Sequence, residues 1–244
     1  MNRLYAALMF FTRLPLWKVC HTNSEDYKHV VVFWPLTGWL TSGCMVVVWY
    51  VLSAYLSAEL AFIIALLSRI LLTGALHEDG LADFCDGFGG GTDKEAKLRI
   101  MKDSHIGTYG VIGLIVYFLL MSQMYSIPSG LLPKVMLCAD VWSKLVAAQI
   151  INFLPYTRKA DEAKIKTIYD RMTLGEMVLC LLFGLMPLIW FPFSLLYILL
   201  FPSVIFVLMV FLMKKGIGGY TGDLCGATFL LCELSFYMGV QLLN

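Results

Sequence analysis

Long apolar segments separated by short polar ones run through nearly the whole chain. Six or seven of them can be drawn, and each approaches the ~20 residues that an α-helix needs to cross a bilayer. The segments are Val30–Leu56, Glu59–Leu76, Thr108–Ile127, Lys134–Leu154, Leu174–Phe193, Leu195–Met213 and Gly222–Leu243. This pattern predicts an all-α, polytopic integral membrane protein with about six to eight transmembrane helices.

Three polar segments lie between these spans, and each is predicted to be a loop. They are His77–Gly107, Pro155–Thr173 and Lys214–Gly222. The N-terminal stretch, which ends with Trp17 and Lys18, is expected to form an interfacial or partly buried helix. No internal repeat is found along the sequence, so residues 1–244 are expected to form a single membrane-embedded domain.

The composition supports a location in lipid. Of the 244 residues, 59% are hydrophobic and 14% are charged, whereas soluble domains are roughly a quarter charged. The mean hydropathy is +0.78. A net charge of +1 gives no reason to expect a nucleic-acid partner. The seven cysteines are an odd number and lie mostly in apolar segments, which favours free buried thiols.

The basic residues fall mainly on one side of the predicted membrane. If the compartments alternate along the chain, the side that holds the N-terminus receives 15 of the 18 lysines and arginines. Cytoplasmic loops carry such an excess of positive charge. We therefore predict that the N-terminus and all three polar segments face the cytoplasm.

Four carboxylates lie within nine residues at the start of the first polar segment: Glu78, Asp79, Asp83 and Asp86. The three aspartates have the spacing i, i+4, i+7, which places them on one face of a helix. Neighbouring carboxylates repel each other, and little water screens them at a membrane boundary. A bound cation would remove this conflict, and carboxylate oxygens favour Mg²⁺, Mn²⁺ or Ca²⁺ over zinc. We predict that Asp79, Asp83 and Asp86 together bind Mg²⁺.

Glycines accompany the acidic residues. Gly80 and Gly87 each follow an aspartate, and the missing side chain would let a phosphate group or another backbone approach closely. Three further glycines, residues 89–91, are expected to end the helix. A solvated acidic loop is the alternative, but it does not account for Leu81 and Phe84, which are interleaved as on an amphipathic helix.

Several motifs together resemble one family of membrane enzymes. The stretch Gly74–Gly87 reads G-x-x-H-x-D-G-L-A-D-x-x-D-G. Its aspartates resemble the motif of CDP-alcohol phosphotransferases, but the later half of that motif is not matched. The closer resemblance is to the cobalamin synthases, the adenosylcobinamide-GDP ribazoletransferases, and it covers nearly the whole chain. The other similar blocks are Phe10–Pro15, Phe33–Gly38, Ile100–Gly110 and Thr221–Ala227, followed by Glu233.

The resemblance implies a transferase of late cobalamin biosynthesis. The implied substrates are adenosylcobinamide-GDP and either α-ribazole or α-ribazole 5′-phosphate, and GMP is the leaving product. The implied location is the inner membrane of a bacterial or archaeal cell, with the active site facing the cytoplasm. A homo-oligomer, or association with other membrane-bound cobalamin-pathway enzymes, is left open.

Attack of an alcohol on a diphosphate depends mainly on metal ions and positioning. This assigns metal ligation to Asp79, Asp83 and Asp86, and Glu78 is a further catalytic candidate. His77 is either the base or a hydrogen-bonded structural residue. The expected substrate-binding residues are Gly80, Gly87, Lys102, Asp103, Ser104, His105 and Asp223. For Asp103 and Ser104 the alternative is an N-cap at the end of a solvated loop.

A few other charged residues have open roles. Arg69 has the spacing i, i+4, i+8 with Thr73 and His77, so it is expected to line the same cavity as His77 or to bind a carbonyl group. Asp140 and Lys144 have the spacing i, i+4 and are expected to neutralise each other. Glu233 lies within the last span, with either a structural or a catalytic role. Four basic residues lie together in the second polar segment. They either reflect the positive-inside rule or attract the anionic GDP moiety of the substrate. These residues are Arg158, Lys159, Lys164 and Lys166.

Two other classes of function compete with a transferase. A divalent-cation transporter would use the acidic residues as an ion path, but transporter sites usually lie near mid-membrane in both halves of an inverted repeat. Here the acidic residues lie at one predicted edge of the membrane, and no second half of the sequence repeats them. A structural membrane subunit would need no such constellation of carboxylates.

Overall fold

The computed structural model of this chain describes residues 1–157 and 168–243. These residues form helices and no β-strand, apart from one isolated bridge between Tyr156 and Tyr220. The prediction of an all-α fold is therefore confirmed. The α-helices are α1 (Asn2–Phe11), α2 (Ser24–Tyr27), α3 (Trp34–Leu52), α4 (Ala58–Thr73), α5 (Leu76–Gly90), α6 (Lys94–Ile100), α7 (Thr108–Ser122), α8 (Leu132–Ala148), α9 (Ile150–Phe153), α10 (Leu174–Leu185), α11 (Leu200–Ile217) and α12 (Gly222–Leu243).

Within the described ranges, five helical segments are long and apolar enough to cross a membrane. They are Val30–Leu52, Thr108–Ser126, Leu132–Phe153, Phe193–Ile217 and Gly222–Leu243. Helices α4 and α5 add a sixth span if this bent pair is counted as one. The polytopic membrane fold is thus confirmed, with five to six candidate spans where the hydropathy pattern allowed six or seven.

The apolar segment Leu174–Phe193 forms a shorter helical unit than its hydropathy suggests. Helix α10 ends at Leu185, and a 3₁₀ turn continues only to Ile189. Pro187 lies in that turn and Pro192 follows it. Because proline has no backbone N–H, it interrupts the hydrogen bonding of a helix. An apolar run of membrane length therefore does not guarantee one continuous spanning helix.

A sharp bend separates α4 from α5. The two helices meet at 90° across a break of two residues. Gly74 ends α4 with φ +68°, and Ala75 follows with φ +57°. Left-handed backbone is common for glycine at the end of a helix but costs energy for a residue with a Cβ. The bend directs α5, with its acidic residues, away from the axis of α4.

The segment His77–Gly107, predicted to be a polar loop, is mostly helical. It contains nearly all of α5 and the whole of α6. Its leucine, alanine and phenylalanine residues recur at helical spacing, so α5 can bury one side and keep its polar side accessible. As predicted from the glycine run, α5 ends there, at Gly90.

Helix α12 lies at the centre of the packing. It contacts α5 on one side and α8 on another, and most of its side chains are buried. Helix α1 packs against α2, α3 and the 3₁₀ turn that precedes α3, and it buries Ala6, Ala7 and Phe11, in agreement with the expected partly buried N-terminal helix. The acidic helix α5 is therefore held between α12 and α7.

Candidate active site

Helices α5 and α12 cross at glycines. A Cβ built on Gly80 would lie 2.5 Å from the backbone oxygen of Asp223. On the facing side, a Cβ on Gly226 would lie 3.3 Å from Cα of His77. Small residues of this kind let two backbones approach closely inside a membrane. Asp223, an expected substrate-binding residue, is thereby placed against the acidic helix, and Gly80 has a packing role besides any contact with substrate.

Gly80 and Gly43 are expected to tolerate alanine differently. In Gly80→Ala the new methyl group meets a backbone atom that cannot rotate away, so α5 and α12 must separate. We expect a lower thermal midpoint in detergent and a large loss of activity. Gly43→Ala in α3 is the matched control, because a Cβ on Gly43 would meet no other atom within 4 Å. Equal midpoints for the two variants would contradict this close contact.

The first of two cavities beside α5 is acidic. It has a volume of about 180 Å³. Three carboxylates face it, from Asp79, Asp83 and Asp103. The rest of its lining is Ala82, Ser104, His105 and Ile106. The loop before α7 therefore meets the acidic helix, which the sequence alone could not show.

The carboxylate of Asp103, in the loop before α7, is held by contacts with His105. Oδ1 of Asp103 accepts hydrogen bonds from the backbone N–H of His105 at 3.0 Å and lies 2.7 Å from its ring Nδ1. These contacts lower the pKa of Asp103 below its usual value. The side chain is therefore ionised at neutral pH. The alternative in which Asp103 or Ser104 caps α7 is wrong, because the N-cap residue is Gly107.

Asp86 lies apart from this cavity and holds the start of α7. Its Oδ2 accepts the N–H of Gly107 at 2.7 Å, and its Oδ1 accepts the N–H of Gly110 at 2.8 Å. A Cβ on Gly107 would come within 2.5 Å of Oδ1 of Asp86, so glycine is required for this approach. A carboxylate at a helix N-terminus is also favoured by the helix dipole. These bonds explain Asp86 without a metal ion.

The three aspartates do not form a ready-made metal cluster. Among the described residues, one group of three side chains has its ligand atoms within 4.8 Å of one another, namely Glu25, His29 and Asp170. None of these three residues belongs to α5, and two of them are exposed. The residue types around the acidic cavity nevertheless suit a hard divalent cation, because three aspartates line one small space.

The second cavity is aromatic and has a volume of about 160 Å³. Phe10 and Phe11 of α1, Trp34 of α3 and Tyr169 supply its aromatic wall. Further lining comes from Val31, Leu76, His77, Asp79, Gly222, Asp223, Cys225 and Gly226. Asp79 lines both cavities, so the two spaces adjoin at this residue.

A buried ionic cluster lies on the other side of α5. Arg69 donates a hydrogen bond from Nη1 to Oε1 of Glu233 and another from Nη2 to the Tyr117 hydroxyl, the latter at 3.2 Å. Lys144 lies 2.5 Å from Oδ1 of Asp140. The predicted neutralisation of Asp140 by Lys144 is thus confirmed. Each buried cation thus has a carboxylate as its partner, and loss of one member of such a pair would leave a buried charge uncompensated.

This buried cluster bears on the roles of Arg69 and Glu233, which the sequence left open. Arg69 is 1% exposed and pairs with Glu233, so it does not line either cavity. Glu233 is wholly buried in the same ion pair, which supports its structural role. Glu78 points toward this side as well, because its Oε1 lies 3.9 Å from Nη2 of Arg69.

The remaining predicted residues have diverse positions. His77 is 3% exposed, with its ring 4.8 Å from that of Phe229, and it lines the aromatic cavity. A Cβ on Gly87 would meet the Met101 side chain, so this glycine serves the packing of α6. Lys102 is exposed and is not part of the cavity lining. The basic group Arg158, Lys159, Lys164 and Lys166 lies outside the described residues.

Sequence reasoning missed the aromatic wall. Phe10 and Phe11 begin the block Phe10–Pro15, and Trp34 lies in the block Phe33–Gly38. Both blocks carried the family resemblance but were given no role. The signal was their position in those motifs. Aromatic residues in apolar segments otherwise look like ordinary core residues.

The fold and the two cavities define a polytopic membrane protein with a carboxylate site at the end of a broken span. The chain belongs to the cobalamin-5-phosphate synthase family, CobS, whose family model matches residues 3–241. A protein of Shewanella woodyi named adenosylcobinamide-GDP ribazoletransferase is 34% identical over 239 residues, which cover 96% of this chain and 93% of that protein.

Similar relatives occur in other bacteria. A Leptospira interrogans protein with the same name is 34% identical over 252 residues, covering 98% of this chain and 94% of its own length. A third, from Shewanella sp. strain W3-18-1, is 35% identical over 237 residues, with 95% and 90% covered. No solved structure matches the chain significantly.

Proposed function

We propose that this protein is an adenosylcobinamide-GDP ribazoletransferase. It joins the adenosylcobinamide-phosphate group to α-ribazole or α-ribazole 5′-phosphate and so acts late in cobalamin biosynthesis. The observation that carries this proposal is the position of Asp79, which lines both the acidic and the aromatic cavity. A two-substrate reaction requires two adjoining spaces with a reactive group between them. Family membership supplies the identity of the substrates.

The reaction replaces the phosphoanhydride bond of the diphosphate with a phosphate ester bond. A ribose hydroxyl of the acceptor attacks the phosphorus that carries the cobinamide. The new O–P bond forms, the P–O bond to GMP breaks, and GMP leaves with the bridging oxygen. His77 is our candidate to accept the hydroxyl proton, because it lines the aromatic cavity together with Asp79 and its Nε2 has no hydrogen-bond partner among the described residues.

Asp79 and Asp83 would bind the Mg²⁺ ion, with Asp103 as a third carboxylate in the same cavity. When bound, Mg²⁺ neutralises the negative charge that develops on the phosphoryl oxygens. The protein contributes the position of these carboxylates. The α5–α12 contact holds Asp79 from one side, and the loop after α6 brings Asp103 from the other. Asp86 contributes indirectly, since it fixes the start of α7 directly after that loop.

Nucleotide release tests this proposal. The purified protein in detergent or liposomes would be supplied with adenosylcobinamide-GDP, α-ribazole and Mg²⁺. We expect GMP to form only when all three are present, in amounts equal to the new corrinoid product. A protein that releases no GMP under these conditions, but carries divalent cations into liposomes, would be the transporter instead. That alternative is not favoured, since the relatives named above are transferases.

We further propose that the protein resides in the inner membrane with α5 and α6 on the cytoplasmic side. The positive-inside distribution supports this orientation. Single cysteines at Glu95 in α6 and at Tyr55, between α3 and α4, test it, because both positions are exposed. A membrane-impermeant thiol reagent should label Tyr55→Cys on intact cells and Glu95→Cys only after permeabilisation. The reverse pattern would invert the topology.

A further inference from the structure

Aromatic rings form an almost continuous wall in the second cavity. The rings of Phe11 and Trp34 are stacked, with centroids 5.1 Å apart and planes 5° from parallel. The His77 ring lies 5.6 Å from that of Trp34. On the other side, Phe10 meets Tyr169 edge to face at 6.0 Å. A flat aromatic ligand makes favourable contacts with such a wall.

We propose that this aromatic cavity binds the base of the nucleoside acceptor. The inference rests on the proposed function, which supplies α-ribazole as the acceptor. The base of α-ribazole is a benzimidazole, which is flat, bicyclic and largely apolar. The walls from α1, α3 and α12 would enclose this base, and the ribose would extend toward Asp79.

The size of the cavity selects among the substrates. Apolar protein cavities of about 150 Å³ hold one benzene-sized molecule, and this cavity has about 160 Å³. A flat system of one or two rings is therefore of the right order of size, whereas a corrinoid ring is far too large. The acidic cavity is a poorer place for the base, because it has no aromatic wall apart from His105 and three of its seven lining residues are aspartates.

The polar end of the aromatic cavity suits a ribose. Asp79 and Asp223 line it on α5 and α12, and carboxylates accept hydrogen bonds from sugar hydroxyls. Because Asp79 also lines the acidic cavity, a ribose hydroxyl at this position would adjoin the space assigned to the diphosphate. The two substrates would thus meet at one carboxylate.

A substitution at the edge of the cavity tests the proposal. Gly222 lines the cavity and is exposed, and a Cβ on Gly222 would have no other atom within 4 Å, so Gly222→Leu adds a bulky side chain at the cavity entrance without a clash. We expect this variant to bind α-ribazole at least tenfold more weakly in calorimetry and to raise its KM to a similar extent. The KM for adenosylcobinamide-GDP and the Mg²⁺ requirement should stay unchanged.

Gly43→Leu is the matched control. It makes the same change at another helical glycine with no atom within 4 Å of its Cβ, in a groove on α3 remote from both cavities. Its α-ribazole affinity should equal that of the wild type. Phe11→Leu is a second variant, since it removes the aromatic ring and keeps an apolar side chain at this position. We expect it to weaken α-ribazole binding as well.

Free benzimidazole provides a probe that needs no turnover. It should bind the wild type in competition with α-ribazole, and Gly222→Leu should abolish this competition. If Gly222→Leu and Phe11→Leu bind α-ribazole like the wild type while all forms release GMP, the proposed base site is wrong and the transferase function stands. A wild type that neither binds α-ribazole nor releases GMP would overturn both. Displacement of bound lipid without any effect of benzimidazole would make the cavity a lipid site.

Discussion

Asparagine in place of Asp83 is expected to reduce turnover by about 10²–10³-fold, the usual effect of removing one well-placed electrostatic contact. The side chain keeps its shape but loses the charge that it presents to the acidic cavity. The Mg²⁺ concentration required for half-maximal activity should rise, because an amide is a weaker ligand for a hard cation. Asp79→Asn should have the same effects. Steady-state rates of GMP release at varied Mg²⁺ concentration measure both.

Asp93→Asn is the matched control for this prediction. Asp93 is an exposed N-cap that accepts the N–H of Ala96, and asparagine is an equally good cap. Its activity and Mg²⁺ dependence should equal those of the wild type. Asp83→Asn with full activity at ordinary Mg²⁺ concentrations would remove Asp83 from the proposed metal site.

Asp86→Asn separates structural from metal-binding carboxylates on α5. It replaces one acceptor oxygen with an N–H₂ group that cannot accept from the backbone of α7. Charge-assisted hydrogen bonds of this type contribute about 1.5–3 kcal/mol each. The free energy of unfolding should fall by a comparable amount. If Asp86→Asn leaves the midpoint unchanged and alters only the Mg²⁺ dependence, Asp86 belongs to the metal site after all.

The second large effect concerns the buried cluster. Arg69→Met leaves Glu233 wholly buried without its counter-ion. Breaking a buried ion pair in this way costs about 3–5 kcal/mol. We expect poor folding or a much lower midpoint in detergent. The double variant Arg69→Met/Glu233→Leu should recover most of the loss, because apolar groups can replace a complete buried pair at little cost.

An exposed ion pair provides the control. Arg3 and Glu176 lie 2.8 Å apart, and the Arg3 side chain is 47% exposed. Such pairs contribute only about 0–1 kcal/mol, so Arg3→Met should scarcely change the midpoint. Failure of the double variant to recover would show that Arg69 or Glu233 has a role beyond mutual neutralisation. Near-normal stability of Arg69→Met alone would contradict the structural role assigned to the pair.

The hydropathy pattern located the membrane-spanning regions well, since burial in lipid depends mainly on local composition. Its errors arose where backbone geometry decides the outcome. The segment Leu174–Phe193 is apolar enough to span, but the prolines near its end limit the helix. The break at Gly74 and Ala75 depends on two consecutive left-handed residues, and glycine alone does not reveal such a bend.

In the acidic helix α5, too, some features follow from the sequence and others only from the packing, here at the level of single residues. Its spacing correctly placed the aspartates on a helix, and the glycine run correctly ended it. Spacing could not show that Asp86 turns to the N–H groups of Gly107 and Gly110, whereas Asp83 faces a cavity. Residues on one face of a helix can meet different neighbours along its length.

By itself the sequence determined the all-α membrane fold, the family and the presence of an acidic helix, because hydropathy, helical spacing and motifs are local properties of the chain. Only the tertiary structure decided which side chains share a space. It brought Asp103 beside Asp83, placed Asp223 against Gly80, and paired Arg69 with Glu233 across 164 positions. These contacts join distant segments, and they result from the packing of whole helices, which no local pattern specifies.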